Sequence, residues 1–130
     1  MTEAEWAYLA GLIDGEGSIS ISHTVVVRIA NTDFGILKWM WETFPEAKVN
    51  IANSNTSYGK KLCLAIRWNG VKAKPILEHT LPYLQGKKHK LAELGLEMIS
   101  YLETNYRYMS PEIANAKGVL KEAAAILNSQ

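Results

Sequence analysis

Residues 9–17 read Leu-Ala-Gly-Leu-Ile-Asp-Gly-Glu-Gly, an order that an ordinary surface helix would not choose. Thr2 followed by Glu5 is a capping-box pattern, so a helix is expected from Glu3 to about Gly15. Trp6, Leu9, Leu12 and Ile13 give this helix an apolar stripe, and Ala7, Gly11 and Gly15 recur every four residues as a stripe of small groups. Each glycine inside a helix costs about 1 kcal/mol relative to alanine. Close packing against another helix backbone would offset that cost. Asp14 and Glu16 stand at the C-terminal end of the helix, where the macrodipole is already negative. A divalent cation would turn this repulsion into attraction, because Mg²⁺ takes carboxylate and carbonyl oxygens. The period then switches from helix to strand: Gly17-Ser18-Ile19-Ser20-Ile21-Ser22 alternates strictly and presents one small, polar face.

Downstream, Val25, Val26, Val27 and Ile29 are β-branched and predict a second strand, joined to the first around His23 and Thr24. Asp33 is placed to cap a helix running to Phe44 before Pro45, with Ile36, Leu37, Met40, Trp41 and Phe44 on its apolar face. Val49–Ile51 and Leu62–Trp68 predict another strand pair, separated by the turn-rich residues 53–59. Helices are expected over Val71–Thr80, with Pro75 in its first turn or kinking it, over Lys87–Glu103, and from Ser110-Pro111-Glu112 onward. Leu94-Gly95-Leu96-Glu97 echoes the start of the 9–17 stretch but lacks its acids and reads as helix core. The order is αββαββα plus C-terminal helices, an α+β architecture with a curved antiparallel sheet. At 130 residues this is one domain, 1–130, able to bury a core without disulfides. The lone Cys63 agrees, since a secreted scaffold would carry cysteine pairs. No apolar run approaches the roughly 20 residues of a membrane span. The N-terminus opens with Thr2, Glu3 and Glu5, not a basic region ahead of an apolar one, so an intracellular, non-secreted protein is expected, in the cytoplasm or a nucleoid or organelle matrix.

The net charge of +1 conceals an asymmetry. Residues 1–47 carry two basic and seven acidic groups, whereas 48–90 carry nine basic groups against Glu78 alone, or +8. Segregation of this kind suits a polyanionic partner, although solvated lysines on ordinary surface would give the same count.

The 9–17 stretch resembles the signature of the LAGLIDADG homing endonuclease family, with Gly15-Glu16-Gly17 in place of Ala-Asp-Gly, and the element order around it covers essentially the whole chain. The resemblance implies a metal-dependent endonuclease of double-stranded DNA, sequence-specific, intron-encoded and leaving short 3′ overhangs. In that family two copies of the motif helix pack together, and the last acid of each binds a divalent metal beside the scissile phosphate. Carried over, Glu16 would hold Mg²⁺ (or Mn²⁺) with the Gly15 carbonyl as second ligand. Ala7, Gly11, Leu12, Asp14 and Gly15 would form the subunit interface, with Asp14 capping or bracing the partner helix. One motif per chain implies a homodimer and a pseudo-palindromic target. The family's basic catalytic residue falls on Lys87, beside Lys88, His89 and Lys90; a phosphate-binding patch without catalytic duty is the plainer reading of that cluster. Asn31 matches a water-orienting position in the reaction, and equally makes good turn chemistry before Thr32-Asp33. Two alternatives stand beside the nuclease: a non-cleaving relative acting as an RNA splicing cofactor (maturase), and a DNA-binding regulator.

A twisted antiparallel ribbon fits the major groove. Alternation counted from Glu16 puts Ser18, Ser20, Ser22, Thr24, Val26 and Arg28 on the groove face, joined by Lys48, Asn50, Lys61 and Arg67. Arg28 and Arg67 can each bond guanine O6 and N7 together, while Lys48, Lys60, Lys61 and Lys88 suit phosphates. His23 is either a phosphate contact or a solvated turn residue, and Trp39, Trp41 and Trp68 read as core.

Overall fold

The structure is a computed structural model; it describes residues 1–52, 54–56, 59–104 and 110–130, with the side chains of 54–56, 59–61 and 104 outside the description. Helix α1 spans Glu3–Glu16 and starts on the expected capping box: the Glu5 amide donates to Thr2 Oγ1 (3.1 Å), and Glu5 Oε1 accepts from the Thr2 amide (3.0 Å). That backbone bond from Thr2 holds the Glu5 carboxyl below its ordinary pKa, so this cap is intact at neutral pH and is lost as acid protonates Glu5. Strands β1 (Gly17–Ile21) and β2 (Val25–Asn31) follow, then α2 (Phe34–Thr43), capped by Asp33 Oδ1 accepting from the Gly35 and Ile36 amides at 2.8 and 3.2 Å. Next come β3 (Lys48–Ile51), a short ribbon of β4 (Ser54–Thr56) and β5 (Gly59–Lys61), and β6 (Leu64–Asn69). A 3-10 turn leads into α3 (Ala73–Thr80), and α4 (Gly86–Thr104) and α5 (Pro111–Asn128) complete the chain.

The main sheet is antiparallel in the order β1-β2-β6-β3. Its helix-covered face carries Ile19, Ile21, Val25, Val27, Ile29, Ile66 and Trp68, all buried against Leu9, Ile13, Met40, Ile76, Leu77, Leu91 and Met98. Fully burying one such side chain contributes about 1.5–3 kcal/mol, so this single core holds the layers together. Gly95 lies inside it as expected: a Cβ there would meet Leu77 Cδ1 at 3.1 Å and Val25 Cγ1 at 3.2 Å, so its smallness lets α4 approach β2 and α3.

Three expectations need correction. Part of the turn-rich stretch is strand, since β4 (Ser54–Thr56) pairs with β5 (Gly59–Lys61), and the following strand starts at Leu64 instead of Leu62. The helix expected from Val71 starts at Ala73, because Gly70 takes a positive φ of 60° and opens a 3-10 turn first. Trp41 is not core: it is 58% exposed, since Leu37, Met40 and Phe44 take the inward face of α2 and Trp41 lies one residue around the helix from Met40. It lines an open apolar groove with Phe34, Leu37, Lys38, Pro45 and Leu64. Trp68, by contrast, is buried, and Trp39 packs half-buried between Tyr8 and Phe44.

Candidate active site and nucleic-acid interface

Cross-strand partners share a face of a sheet, and the register assembles one row across all four strands. Ser18 pairs with Arg28, Arg28 with Arg67, and Arg67 with Lys48. Ser20, Val26 and Asn69 form the next row, and Ala30, Ala65 and Asn50 the row on the other side. Ser18, Ser20, Arg28, Lys48 and Asn50 are exposed, and Ser22 and His23 are exposed in the turn beyond β1 with Thr24 half-buried beside them. The strand residues expected on the groove face, Ser18, Ser20, Val26, Arg28, Lys48, Asn50 and Arg67, therefore share one face of the sheet. Lys60 and Lys61 stand on β5, and their side chains lie outside the described residues.

Three cations in one row repel each other, since like charges directly opposite destabilise a sheet. None of the three has an ion-pair partner among the described residues. Arg67 also buries its Nε without a hydrogen-bond partner. A row of this kind lowers the stability of the free protein and is relieved by an anionic ligand. The charge-rich 48–90 segment, however, is not one patch in space. Lys74 pairs with Glu103 of α4 at 3.1 Å, Lys88 turns inward, and Arg28, from the acidic N-terminal third, supplies the centre of the row.

At the end of α1, Glu16 is exposed and Asp14 is half-buried, with Asp14 Oδ2 accepting from the Gln85 amide at 2.9 Å. That bond ties the end of α1 to the start of α4 within one chain. Lys88 also departs from expectation. Its ammonium donates to the Ile13 and Asp14 carbonyls at 2.7 and 2.9 Å, and so is spent on the helix end, not offered to a phosphate. The repulsion read from the sequence at this terminus is thus partly answered from inside the chain. Burial lowers the Lys88 pKa, opposed by the neighbouring Asp14 charge.

Lys87 remains exposed on the first turn of α4; its Nζ donates to the Gln130 carbonyl at 2.9 Å, and it lines an open groove with Asp14, Gln85, Gly86 and Lys88. Asn31 Oδ1 accepts from the Asp33 amide at 2.9 Å, which engages it in the turn before α2. On the outward side of α1, a Cβ added at Gly11 or Gly15 would meet nothing within 4 Å. Nothing in the protomer requires these residues to be glycine. Ala7 and Leu12 flank them half-buried, and Tyr8, 47% exposed, continues the same open stripe. The role of Lys88 spans 75 residues of sequence and carried no local signal; only the fold reveals it.

Compared with solved structures, the chain aligns over 96% of its length with 82% of the homing endonuclease I-CvuI in complex with its target, at a TM-score of 0.73 and 21% identity. The LAGLIDADG homing endonuclease I-GzeII in complex with its DNA target aligns over 88% of this chain at a TM-score of 0.61 and 16% identity. The chain has the LAGLIDADG homing-endonuclease fold. The meganuclease I-SmaMI, bound to uncleaved DNA in the presence of calcium, matches over 91% of this chain at 0.61 and 17% identity. The chain spans 42% of I-GzeII and 44% of I-SmaMI, so it carries one copy of the unit that aligns. No family model matches the sequence, and no curated protein does. Within this fold the motif helix is α1 and the open sheet face is the row centred on Arg28 and Arg67. No helix among the described residues is long and apolar enough to cross a membrane.

Proposed function

We propose that the chain is a metal-dependent endonuclease of double-stranded DNA that works as a homodimer on a pseudo-palindromic site. The observation that carries this reading is the continuity of Glu16 with the cation row: a single residue, Gly17, separates the exposed carboxylate at the end of α1 from Ser18, the first member of the row. A duplex lying on the outer sheet face would bring its backbone toward the end of α1. Arg28 and Arg67 would read base edges there, Ser18, Ser20 and Asn50 would add single hydrogen bonds, and Lys48 would hold a phosphate.

A divalent ion fits the donors at this end of α1. Among the described residues of one protomer no three carboxylates, histidines or cysteines converge, so a single chain does not build a closed metal cage. Lys88 bonds the Ile13 and Asp14 carbonyls, which leaves the Glu16 carboxylate and the Gly15 carbonyl as oxygens to which it makes no hydrogen bond. Two protomers related by a twofold along α1 would bring together two Glu16 carboxylates, an all-oxygen set suited to Mg²⁺ or Mn²⁺. When bound, such an ion supplies an activated water and offsets charge on the phosphate. The chain's own share is to fix Glu16 through the Asp14–Gln85 and Lys88 contacts, and to hold the exposed Lys87 ammonium where it can neutralise a phosphate oxygen. Selection of cleaved duplexes from a randomised pool with Mg²⁺ present tests the activity; recovery of no enriched site would favour a non-cleaving DNA- or RNA-binding protein.

The homodimer rests on the outward stripe of α1. A Leu at position 11 would hold two helices apart there without touching its own protomer, where the space around Gly11 is open. Gly11→Leu is therefore expected to yield a folded monomer, with light scattering at micromolar concentration reporting half the parental mass. A parental protein that is monomeric both with and without duplex DNA would rule out this assembly.

A further inference from the structure

Helix α5 runs beside the free edge of β1 and is tied to it by Asn128 Nδ2, which donates to the Ile19 carbonyl at 3.1 Å. Lys117 and Lys121 lie one turn apart on this helix, and with Ser22, His23, Ala114 and Gly118 they line a groove of about 420 Å³ at the β1–β2 turn. Lys121, Ser22 and His23 are exposed, and Lys117 is half-buried. A Cβ on Gly118 would meet nothing within 4 Å, so the floor of the groove between the lysines is open.

The charge arrangement is one-sided. Like charges four apart on a helix are unfavourable, and neither lysine has an acid three or four residues away on α5, since those positions hold, besides the two lysines themselves, Ile113, Ala114, Gly118, Leu120, Ala124 and Ala125. No ion pair is made by Lys117, Lys121 or His23 among the described residues. Ser22 and His23 add a hydroxyl and an imidazole N–H at the same place. Among the described residues these side-chain donors have no acceptor, and they cluster where the outer sheet face ends.

We infer that Lys117, Lys121, Ser22 and His23 form a second anchoring site for the phosphate backbone of the duplex, lateral to the sheet and separate from the base-reading row. The inference rests on the DNA-endonuclease reading. It extends the contact from the sheet to the C-terminal helix and assigns α5 a share in binding. Its ligand is a run of phosphodiester groups without sequence preference, as lysine side chains and a turn hydroxyl carry no code for bases.

The test is the salt dependence of binding to a random-sequence duplex, compared between the parental protein and Lys117→Ala/Lys121→Ala. Each phosphate contact in B-DNA contributes about 0.9 to the slope of log K against log salt. The double variant is expected to have a slope shallower by roughly 2 for each bound protomer. Lys117→Arg/Lys121→Arg should keep the parental slope. Alanine is the better helix former, and an unchanged melting temperature would show that a shallower slope is not unfolding. A parental protein that binds with a steep slope, alongside an alanine variant with the same slope, would overturn the anchoring site and leave the nuclease reading standing. Failure of the parental protein to bind duplex DNA at low salt would overturn both.

Discussion

Glu16→Gln is expected to reduce cleavage by roughly three orders of magnitude or more while leaving duplex binding near the parental affinity. Glutamine keeps the size and one carbonyl oxygen of glutamate but removes the charge, and a hard divalent cation loses its principal protein ligand. The ion supplies several kcal/mol of charge stabilisation at the phosphate, and each 1.4 kcal/mol is worth about a factor of ten in rate. The base-reading row is untouched, because Arg28, Arg67 and Lys48 lie on the sheet and Glu16 is the last residue of α1. A second readout separates metal loss from misfolding. In the parental protein Mg²⁺ should raise the melting temperature, by linkage between binding and folding, and in Glu16→Gln that increment should vanish with the metal-free melting temperature unchanged. Lys87→Ala should slow cleavage less, since its ammonium assists at the phosphate without holding the ion. Cleavage by Glu16→Gln at the parental rate under saturating Mg²⁺ would remove Glu16 from the mechanism and favour the maturase or regulator alternatives.

What could be read from residue order alone was local. The capping box of Thr2 and Glu5, the Asp33 cap and the Ser110-Pro111 start of α5 depend on neighbours three residues away, and each forms as expected. Strand alternation assigned Ser18, Ser20, Arg28, Lys48 and Asn50 to one face, because a period of two fixes the face once register is set. Spatial partnerships were not legible. Lys88 reaches α1 across 75 positions, Lys74 finds Glu103 across 29, and so a charge block contiguous in sequence is divided among three environments. Trp41 stands at the flank of an apolar stripe, where composition alone assigns an aromatic to the core, whereas Leu37, Met40 and the following Phe44 are the residues that α2 and its end bury. The glycines of the 9–17 stretch looked alike in sequence, yet the fold gives them opposite duties.

Gly17→Ala should unfold the site from within, whereas Gly15→Ala should not. A Cβ at position 17 would lie 2.8 Å from Ile13 Cα, 3.0 Å from the Ile13 carbonyl oxygen and 3.2 Å from the Arg28 carbonyl oxygen. All three are backbone atoms, so no side-chain rotation can relieve the clash. The φ of −94° at Gly17 suits any residue; the constraint is space, where the end of α1 turns directly into β1 and presses on β2. Accommodating alanine must widen the gap between α1 and β2, straining the Gly17–Ile29 rung and the Gly17 amide bond to the Ile13 carbonyl. Overpacking of this kind typically costs about 1–3 kcal/mol, which in a chain of this size corresponds to a melting temperature lower by roughly 5–10 °C. Glu16 is the adjacent residue, so cleavage should fall with the displacement even at temperatures where the variant is folded. Gly15→Ala adds its methyl to open space and replaces a glycine that costs a helix about 1 kcal/mol, so the protomer should be as stable as the parent or more so, with any loss appearing as weaker dimerisation in light scattering. Equal melting temperatures for Gly17→Ala and the parental protein would show that α1 and β2 are not in the close contact on which the placement of Glu16 depends.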